Sequence, residues 1–571
     1  MKRKILAFIL ALTMLCPLLL TGCGNEAEET GDESQEETTT RATVSINMWV
    51  VTDNNTSEEA LEARAKVEEE FNRITKSTFT TRVDIEFVTA DEYVERLSAK
   101  FDAVDAAKKA TAGNKKPVAD ATESESVVEE YEVNELGVSV LKYPAITDDQ
   151  LDIVFVQDIN HLYDLVGAQR LKNLNEHINE TGRSKILTDI ISSAYLTHTK
   201  VNDGTYGIPN NRIFGEYTYL LINKEYVTGD KNGDGAISSD EIAGSYINLD
   251  DINNFVDCAD LVEYIKTNAS DVAPVLEIFN NPDIYYWGED SSEFSILASK
   301  EYFNSQTKDK NDKYYTRNVF EIKEFTEFEL LMKKYETQGY LAQDADKAKQ
   351  DKSFGVAVMT GDSRILDEYS DNYYIKVLDT PAITDETISS TSFFAVTEYT
   401  KDLDRAMEVI TMLNTNSELR NVLQYGVEGV HYELDENDRV LRFNRNYMMN
   451  LEDTGNVFVA YPEEGMADDI WEVGVKSNLD ARIHALTGLW IKMRDVNKEV
   501  VADLAAASKN YKARMDACQT VEELDQFFKT AKEEVSADPA FTAAISSDAG
   551  SIRSIHTAWH EANWPEKEDA A

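Results

Sequence analysis

Apolar and polar residues alternate from Thr43 onward, and this alternation marks the first predicted strand. Every second residue over 44–50 is apolar, a period of two that is typical of a β-strand. Over 60–74 the apolar residues recur at helical spacing, and Thr56 with Glu59 before them has the spacing of a capping box. The alternation returns at 83–87. Strand, helix and strand in this order predict a parallel α/β lobe.

The rest of the chain repeats these two patterns. Apolar runs of strand length recur at 152–156, 217–222, 354–359 and 393–396. Helical spacing dominates 250–350 and 402–413, and residues 487–562 read as a helical tail. That tail has an apolar face formed by Val521, Leu524, Phe527, Phe528 and Ala531. Residues 103–137 are rich in Ala, Lys, Glu and Ser with little periodicity, which indicates a mobile insertion.

Length and charge narrow the classes of function. A chain of 571 residues is too long for one ordinary hydrophobic core, so two or more lobes are expected. The formal net charge is −49, and such a surface repels nucleic acid and anionic lipid. We therefore expect no nucleic-acid partner and no electrostatic attachment to a membrane.

The N-terminus predicts a different route to the membrane. Lys2, Arg3 and Lys4 precede an apolar run that ends in Leu20-Thr21-Gly22-Cys23. This ending resembles the bacterial lipobox, which implies a lipoprotein signal peptide over 1–22 and lipidation of Cys23. The run is too short for an uncleaved membrane-spanning helix. Residues 23–42 are acidic and lack large apolar side chains, so we expect a flexible tether on the extracellular face of the cell membrane.

A calcium-binding pattern lies near the middle of the chain. The residues at positions 1, 3, 5, 6 and 12 of an EF-hand-like loop are Asp230, Asn232, Asp234, Gly235 and Glu241. Ala236 would add a backbone carbonyl ligand. A predicted strand and a short turn precede the loop, and the chain has no second loop of this kind. The pattern therefore predicts a structural calcium ion and not a calcium sensor.

Cysteine usage gives no sign of a disulfide framework. Apart from Cys23, the chain after the leader holds Cys258 and Cys518, both within helical patterns. Neither has a second cysteine at the spacing of a redox or zinc motif, so we expect buried free thiols.

Several separated motifs resemble one family of transport receptors. They are Gly204–Pro209 with Tyr219–Lys224, the run 152–156, Phe354–Met359 with the following Gly361 and Asp362, and Leu423–Tyr432. Together they resemble the extracellular solute-binding proteins, family 1, of ABC importers, whose members mostly carry carbohydrates. The resemblance implies an α/β, two-lobed periplasmic-binding-protein-like fold with discontinuous lobes and hinge crossovers. It also implies a carbohydrate ligand, most readily an oligosaccharide, ABC transporter permease subunits as partners, and a monomer.

Placing the resemblance on the chain gives boundaries for the lobes. The first lobe takes 43–207 and 356–398, and the second takes 208–355 and 399–562 with the helical tail. The crossovers then fall near residues 207, 356 and 398. The loop from Trp49 to Asn55 follows the first strand, and ligands of open α/β sheets bind at the carboxyl ends of strands.

Sugar binding calls for aromatic faces against the rings and for polar groups that satisfy the hydroxyls. Four tryptophans lie near predicted turns or element ends, namely Trp49, Trp287, Trp471 and Trp490. The family pattern places further ligand-binding residues near them, namely Asp53, Asn54, Asp158, Arg212, Tyr217 and Asp362.

Motifs of known enzyme classes are missing from the sequence. It has no H-E-x-x-H, no G-x-S-x-G and no P-loop lysine. Glu289/Asp290 and Glu463/Glu464 have the residue types of a glycosidase, but adjacent acids are expected at this acid content. His556 and His560 have metal-ligand spacing near the C-terminus, where a solvent-facing position is the simpler interpretation. We expect a binding protein and not an enzyme. The alternatives are a surface glycan hydrolase with a calcium-stabilised domain and a purely adhesive protein.

Overall fold

The computed structural model of the protein describes residues 41–113, 131–133, 139–229, 247–279, 284–287, 293–300, 316–483, 487 and 496–563. The predicted signal peptide, Cys23 and the tether up to residue 40 lie outside the described residues. The calcium loop 230–241, Trp490 and residues 114–130 and 134–138 of the insertion lie outside them as well.

The described strands are, in chain order, β1 (Val44–Thr52), β2 (Thr81–Thr89), β3 (Tyr131–Val133), β4 (Ser139–Leu141), β5 (Ile153–Val156), β6 (Ile208–Pro209), β7 (Tyr217–Asn223), β8 (Ala273–Val275), β9 (Ile284–Tyr286), β10 (Leu297–Lys300), β11 (Arg317–Asn318), β12 (Phe354–Gly361), β13 (Tyr373–Asp379), β14 (Ala382–Ile383), β15 (Phe393–Val396), β16 (Tyr432–Leu434), β17 (Val440–Arg442) and β18 (Arg482–Ile483).

The described α-helices are α1 (Glu58–Phe79), α2 (Tyr93–Gly113), α3 (Ile159–Gly167), α4 (Asn175–Ile178), α5 (Ile186–Ile190), α6 (Ser193–His198), α7 (Ala259–Asn268), α8 (Lys323–Thr337), α9 (Ala345–Asp351), α10 (Arg364–Tyr369), α11 (Asp385–Ser389), α12 (Leu403–Thr415), α13 (Ser417–Tyr425), α14 (Ile470–Asp480), α15 (Lys498–Asp516), α16 (Val521–Ser536), α17 (Pro539–Ala544) and α18 (Ile552–Asn563).

The first lobe is built on a five-stranded sheet of order β2-β1-β5-β15-β6. β1 pairs in parallel with both β2 and β5, whereas β15 runs antiparallel to β5 and β6. Asp152, just before β5, is fully buried and accepts hydrogen bonds from the backbone N–H of Asn47 (2.9 Å) and the hydroxyl of Thr400 (2.6 Å). These bonds fix β1 and β5 to the segment that follows β15.

The second lobe is built on a four-stranded sheet of order β13-β7-β12-β8. β7 is one of its two inner strands and pairs antiparallel with β12 and β13, and all but one of its residues are buried. Two separate sheets, each with its own hydrophobic core, confirm the predicted two-lobed α/β fold.

The observed course of the chain between the lobes corrects two predicted boundaries. The chain leaves the first sheet at Pro209 and joins the second at Tyr217. Residues 356–379, predicted for the first lobe, belong to the second sheet because β12 and β13 both pair with β7. The return to the first lobe comes only with β15, after residues 380–392. An apolar run marks a strand but does not say which sheet will pair with it.

The second correction concerns the residues after 398, which were predicted to lie in the second lobe. α12 and α13 instead bury apolar residues in the core of the first lobe, namely Ala406, Met407, Val409, Ile410, Leu413, Leu419, Val422 and Leu423. Tyr447 and Met449 join the same core. The first lobe therefore continues through this region.

The helical tail is confirmed by α15–α18, and its core gives it a position. Leu524, Phe528 and Ala531 of the predicted apolar face are buried. They pack against β9–β11 and the start of α8. Asn318 of β11 adds a hydrogen bond from its Nδ2 to the carbonyl of Lys532 in α16 (2.8 Å). α8 then continues into the core of the second lobe. The tail is thus attached to the second lobe.

Three local predictions also need correction. α1 is capped by Ser57, whose hydroxyl accepts from the N–H of Ala60, so the capping box at Thr56 is wrong. The predicted insertion begins later than residue 103, because α2 extends to Gly113 and buries Val104. Segments 273–275, 284–286 and 297–300 are strands within a region predicted to be mostly helical.

The two cysteines are free thiols, as predicted. Cys258 is buried, and burial raises the pKa of its thiol to about 12. Cys518 is partly exposed, and its pKa is also raised by burial. Neither thiol is prepared for nucleophilic chemistry at neutral pH.

Among the described helices, none has both the length and the apolar character needed to cross a bilayer.

His431 makes the turn after α13 sensitive to pH. Its ring Nδ1 accepts the N–H of Val427 (2.9 Å), and a Cβ on Gly426, where φ is +84°, would lie 2.6 Å from that nitrogen. Burial lowers the pKa of His431, so the folded ring stays neutral. The unfolded ring, with a pKa of about 6.5, binds more protons as the pH falls below that value. Stability contributed by the neutral ring is therefore lost between pH 6.5 and the lower folded pKa.

We expect His431→Asn to reduce this acid sensitivity, because the amide oxygen keeps an acceptor for Val427 but does not titrate. Urea unfolding of both proteins at pH 7.5 and pH 5.5 measures the effect. An equal loss of stability on acidification in the two proteins would contradict the assignment.

Candidate functional site

The two sheets face each other through their strand ends. β1, β5 and β6 end at Thr52, Val156 and Pro209, all on one edge of the first sheet. One edge of the second sheet lies toward the first sheet. This edge is formed by Tyr217 at the start of β7 and by Gly361 and Asp379 at the ends of β12 and β13. The crossover 210–216 links the two edges directly. We call the region between them the interlobe seam; it includes crossovers 210–216 and 380–392 and helix α14.

The crossovers are bonded to each other at the first lobe. The N–H of Asn210 donates to the carbonyl of Ser392 (2.9 Å), and the Ser392 hydroxyl donates to Asp453 Oδ1 (2.7 Å). Arg212 adds hydrogen bonds to the Ser390 hydroxyl (2.6 Å) and to Glu452 Oε2 (2.9 Å). These bonds hold both crossovers in place where they join the first lobe.

Helix α14 braces the first crossover along its length. Ser477 donates to the carbonyl of Gly215 and Asn478 Nδ2 donates to the carbonyl of Arg212, both at 2.7 Å. Asn478 Oδ1 accepts the N–H of Phe214 (2.9 Å). A Cβ at Gly474 would stand 2.7 Å from Ile213, so glycine allows the helix to approach this closely.

Tyr217 ties α14 to the second sheet. Its hydroxyl donates to Asp480 Oδ2 (2.6 Å), and Lys476 donates to both the tyrosine oxygen (3.1 Å) and Asp480 (2.6 Å). The hydrogen bonds from Lys476 and Tyr217 lower the pKa of the Asp480 carboxyl, which stays ionised. The sequence predicts that Tyr217 contacts the ligand. In the structure it is 4% exposed and supports α14 instead.

Trp471 lies in the first turn of α14. Its ring is half-buried and meets Phe458 edge to face, with 6.2 Å between centroids. Within the described part of the chain, its indole N–H is covered and has no acceptor. A covered donor without a partner is costly, and a ligand oxygen or water that reached it would recover that cost.

Asp362 and Arg364 bring the second lobe to the same place. The guanidinium of Arg364 binds Asp362, with Nε 2.9 Å from Oδ2, and lowers the pKa of that carboxyl. It also lies 3.6 Å from Asp469, two residues before Trp471. Asp362 and Trp471 are thus brought together by one arginine.

The first lobe contributes three of the predicted residues at its carboxyl edge. Asp53 follows β1, where its N–H donates to the carbonyl of Met448 and its carboxylate pairs with Arg64 (3.3 Å). Asn54 donates to Asp91 (2.7 Å). Asp158 follows β5 and caps α3 by accepting the N–H of His161 (2.8 Å). All three lie on the interlobe seam, and their contact with a ligand stays a prediction.

Two predicted tryptophans lie elsewhere, and placing them in a cleft was wrong. Trp49 is 9% exposed in the core of the first lobe, with the guanidinium of Arg96 5.9 Å from its ring. Trp287 is 2% exposed among the C-terminal helices, where its Nε1 donates to the Ser299 hydroxyl (2.6 Å) and its ring contacts His556. Trp490 and the calcium ligands Asp230, Asn232, Asp234, Ala236 and Glu241 lie outside the described residues.

The structure also adds aromatic residues that the sequence did not single out. Phe458 meets Trp471 edge to face, and Phe443 is 56% exposed next to Arg442, whose Nη1 lies 3.5 Å from Met448 Sδ. Phe443 directly follows strand β17, and an apolar residue after a short hairpin gives no local signal of function. The link of Arg364 to Asp469 was equally hidden, because the two residues are far apart in sequence.

The enzyme alternatives find little support in the described residues. Glu463 pairs with Arg442 (3.4 Å), and Glu289 and Asp290 lie outside the described part. His556 is buried against Trp287, so the solvent-facing position expected from the sequence is wrong. No group of three metal-ligating side chains occurs in the ranges that the structure describes. Two concavities of about 510 Å³ each lie away from the interlobe seam, one beside α8 and α15 and one at Gly429.

Comparison with known proteins gives one relative by sequence. No family model matches the chain. A protein of Streptococcus pneumoniae serotype 4, described as a carbohydrate ABC transporter substrate-binding protein, is 27% identical over 203 residues. The match covers 32% of this chain and 41% of the relative, so the chain spans less than half the length of this curated relative.

Two solved structures of solute-binding proteins align with most of the chain. The N-glycan transport solute binding protein of Streptococcus pneumoniae is 18% identical, with 87% of this chain and 96% of that chain covered and a TM-score of 0.47. An extracellular solute-binding protein family 1 structure from Alicyclobacillus acidocaldarius is 12% identical, with 87% and 99% covered and a TM-score of 0.35. By sequence, the chain is similar over about a third of its length to a carbohydrate ABC transporter substrate-binding protein.

Proposed function

We propose that this protein is the extracellular receptor of an ABC importer and that it captures a carbohydrate, most readily an oligosaccharide, between its two lobes. The interlobe seam carries the proposal. It joins polar side chains from the strand ends of both sheets to a half-buried tryptophan with an unpaired donor. The sequence relative, a substrate-binding protein for carbohydrates, supports the same class of ligand.

The seam has the chemistry that sugars require. Trp471 offers an aromatic face for the apolar side of a ring, and Asp53, Asn54 and Asp362 offer carboxylate and amide groups for hydroxyls. Because these groups stand on different lobes, a ligand that contacts both would stabilise the closed arrangement. This division of contacts favours a receptor that closes on its ligand.

The experiment is isothermal titration calorimetry of the full extracellular chain against a panel of oligosaccharides. The proposal predicts at least one glycan that binds with one-to-one stoichiometry and stabilises the protein against heat. A panel that covers common bacterial and host glycans and yields no binding would contradict the carbohydrate assignment.

Delivery to the permease needs the protein to be at the membrane, and the lipid on Cys23 is our proposal for its anchor. We expect Cys23→Ala to release the protein into the medium or to leave it unprocessed. Fractionation of cells into membrane and medium measures the result. Unchanged, detergent-requiring membrane attachment of the mature variant would contradict the anchor. A Cys258→Ala variant is the matched control, because Cys258 is buried in the second lobe.

The loop 230–241 supplies our proposal for a structural calcium ion, and it rests on the sequence pattern. Carboxylate and amide oxygens at those spacings suit calcium, and extracellular sites of this kind bind with Kd of about 10⁻⁴ to 10⁻³ M. The ion would fix the start of the second lobe just after β7. Carbohydrate binding would then depend on it only through folding.

Calcium should raise the melting temperature of the wild type by mass action. We expect Asp230→Ala combined with Glu241→Ala to abolish that gain, as measured by differential scanning calorimetry with chelator and with millimolar calcium. A gain that survives the double change would place the ion elsewhere. Loss of glycan binding in a folded variant at saturating calcium would mean that the ion contacts the ligand.

A further inference from the structure

Most charged side chains that the structure describes along the interlobe seam are paired with one another. Six cationic side chains along it or beside it each have a carboxylate partner among the described residues. The pairs are Arg64 with Asp53 (3.3 Å), Arg212 with Glu452 (2.9 Å), Arg364 with Asp362 (2.9 Å from Nε) and Asp469 (3.6 Å), Arg442 with Glu463 (3.4 Å), Lys476 with Asp480 (2.6 Å), and Arg482 with Asp379 (2.6 Å).

Most of these cations make additional hydrogen bonds that hold them in place. Arg212 joins the two crossovers through Ser390, and Arg482 binds Asp379 through both Nε (2.8 Å) and Nη2. Arg64 is 6% exposed and donates to the backbone carbonyl of Asn55 as well. Moving such a guanidinium to a ligand would leave a partly buried carboxylate without its partner, which is unfavourable.

An acidic sugar would therefore meet a surface that repels it. By count, the six cations face seven carboxylates, and the chain as a whole carries a formal charge of −49. A carboxylate or sulfate on the ligand would lose water without gaining a counter-ion from these six side chains. Hydroxyl groups carry no such cost, because the paired carboxylates keep lone pairs that accept hydrogen bonds.

We infer that the receptor is selective for uncharged glycans and excludes those that carry carboxylate or sulfate groups. This inference rests on the proposed function, and it deepens it by naming the class of sugar. Selectivity would come from the pairing of these six described cations together with surplus negative charge, and both act against the wrong ligand.

Arg445 is the residue that tests the inference from inside the protein. It is exposed, stands three residues before Met448, whose carbonyl accepts from Thr52 at the end of β1, and has no hydrogen bond or ion pair to a described residue. An acidic glycan that did bind would have this guanidinium available as its counter-ion.

The experiment starts from whichever neutral glycan the calorimetric panel identifies. Its C6 hydroxymethyl group is converted to a carboxylate and, in a parallel sample, to a carboxamide of the same size. We expect the carboxylate to bind at least about tenfold more weakly than the carboxamide at low ionic strength, and the gap to narrow in 0.5 M salt as repulsion is screened.

Equal or tighter binding of the carboxylate would overturn the inference, and loss of that binding in Arg445→Gln would identify the counter-ion. In that outcome the receptor function would still stand, because a glycan is bound. Selection of only uronic acid or sulfated glycans from the panel would overturn the inference in the same way. Failure of every glycan to bind would instead contradict the proposed function and, with it, the inference.

Discussion

Replacing Trp471 with alanine should raise the Kd for the bound glycan by about 10- to 100-fold, a loss of roughly 1–3 kcal/mol. The substitution removes the aromatic face and the unpaired indole N–H from the first turn of α14. The ring is half-buried and touches Phe458, while α14 keeps its bonds to Gly215, Arg212 and Tyr217. The variant should therefore fold, and calorimetry of the folded protein measures the effect.

Trp471→Phe separates the two contributions of the side chain. Phenylalanine keeps an aromatic face but has no N–H, so we expect a Kd between those of the wild type and the alanine variant. Val475→Ala, on the exposed side of the same helix, is the matched control and should bind as the wild type does. Wild-type affinity in a folded Trp471→Ala protein would remove this residue from the site.

Replacing Trp287 with alanine should have the opposite pattern, with a large loss of stability and no direct effect on affinity. Trp287 is 2% exposed, bonds Ser299 and packs on His556 among the C-terminal helices. Deleting such a side chain typically costs about 3–5 kcal/mol, because it leaves a cavity. Denaturant unfolding followed by circular dichroism measures this loss.

The affinity of whatever fraction remains folded provides the contrast with Trp471. Trp287→Phe should recover part of the stability, because most of the volume is restored. A Trp287→Ala protein that keeps wild-type stability but loses glycan binding would show that the ring lies in the site after all, against its observed burial.

Local patterns predicted the long elements, but they missed the short strands within 273–300 and did not assign the elements to lobes. The alternation over 44–50 and the helical spacing over 60–74 predicted β1 and α1, because a period of two or of 3.6 is written into adjacent residues. The lobe that receives a strand depends on pairing with distant residues. β12 follows β7 by more than a hundred residues and still pairs with it, which no local pattern reveals.

The same limit explains which site residues were found. Loops after strands are predictable, and Asp53, Asn54 and Asp158 do lie at the carboxyl edge of the first sheet. The sequence around a tryptophan does not show whether its ring is exposed, since exposure depends on what packs against the ring. Trp49 stands on a strand with both faces covered, whereas Trp471 stands on a helix between two lobes. Burial separates these two residues, and sequence spacing does not.

The central claim is that the protein binds a carbohydrate and releases it unchanged. In the most direct test, a glycan identified by calorimetry is incubated with the protein and the complex is separated by gel filtration. The ligand is then released by heat and analysed by mass spectrometry. We expect one intact glycan per protein molecule, with no smaller fragments even at a large molar excess over long incubation. Fragments that accumulate beyond one per protein molecule would contradict it and would favour a surface glycan hydrolase.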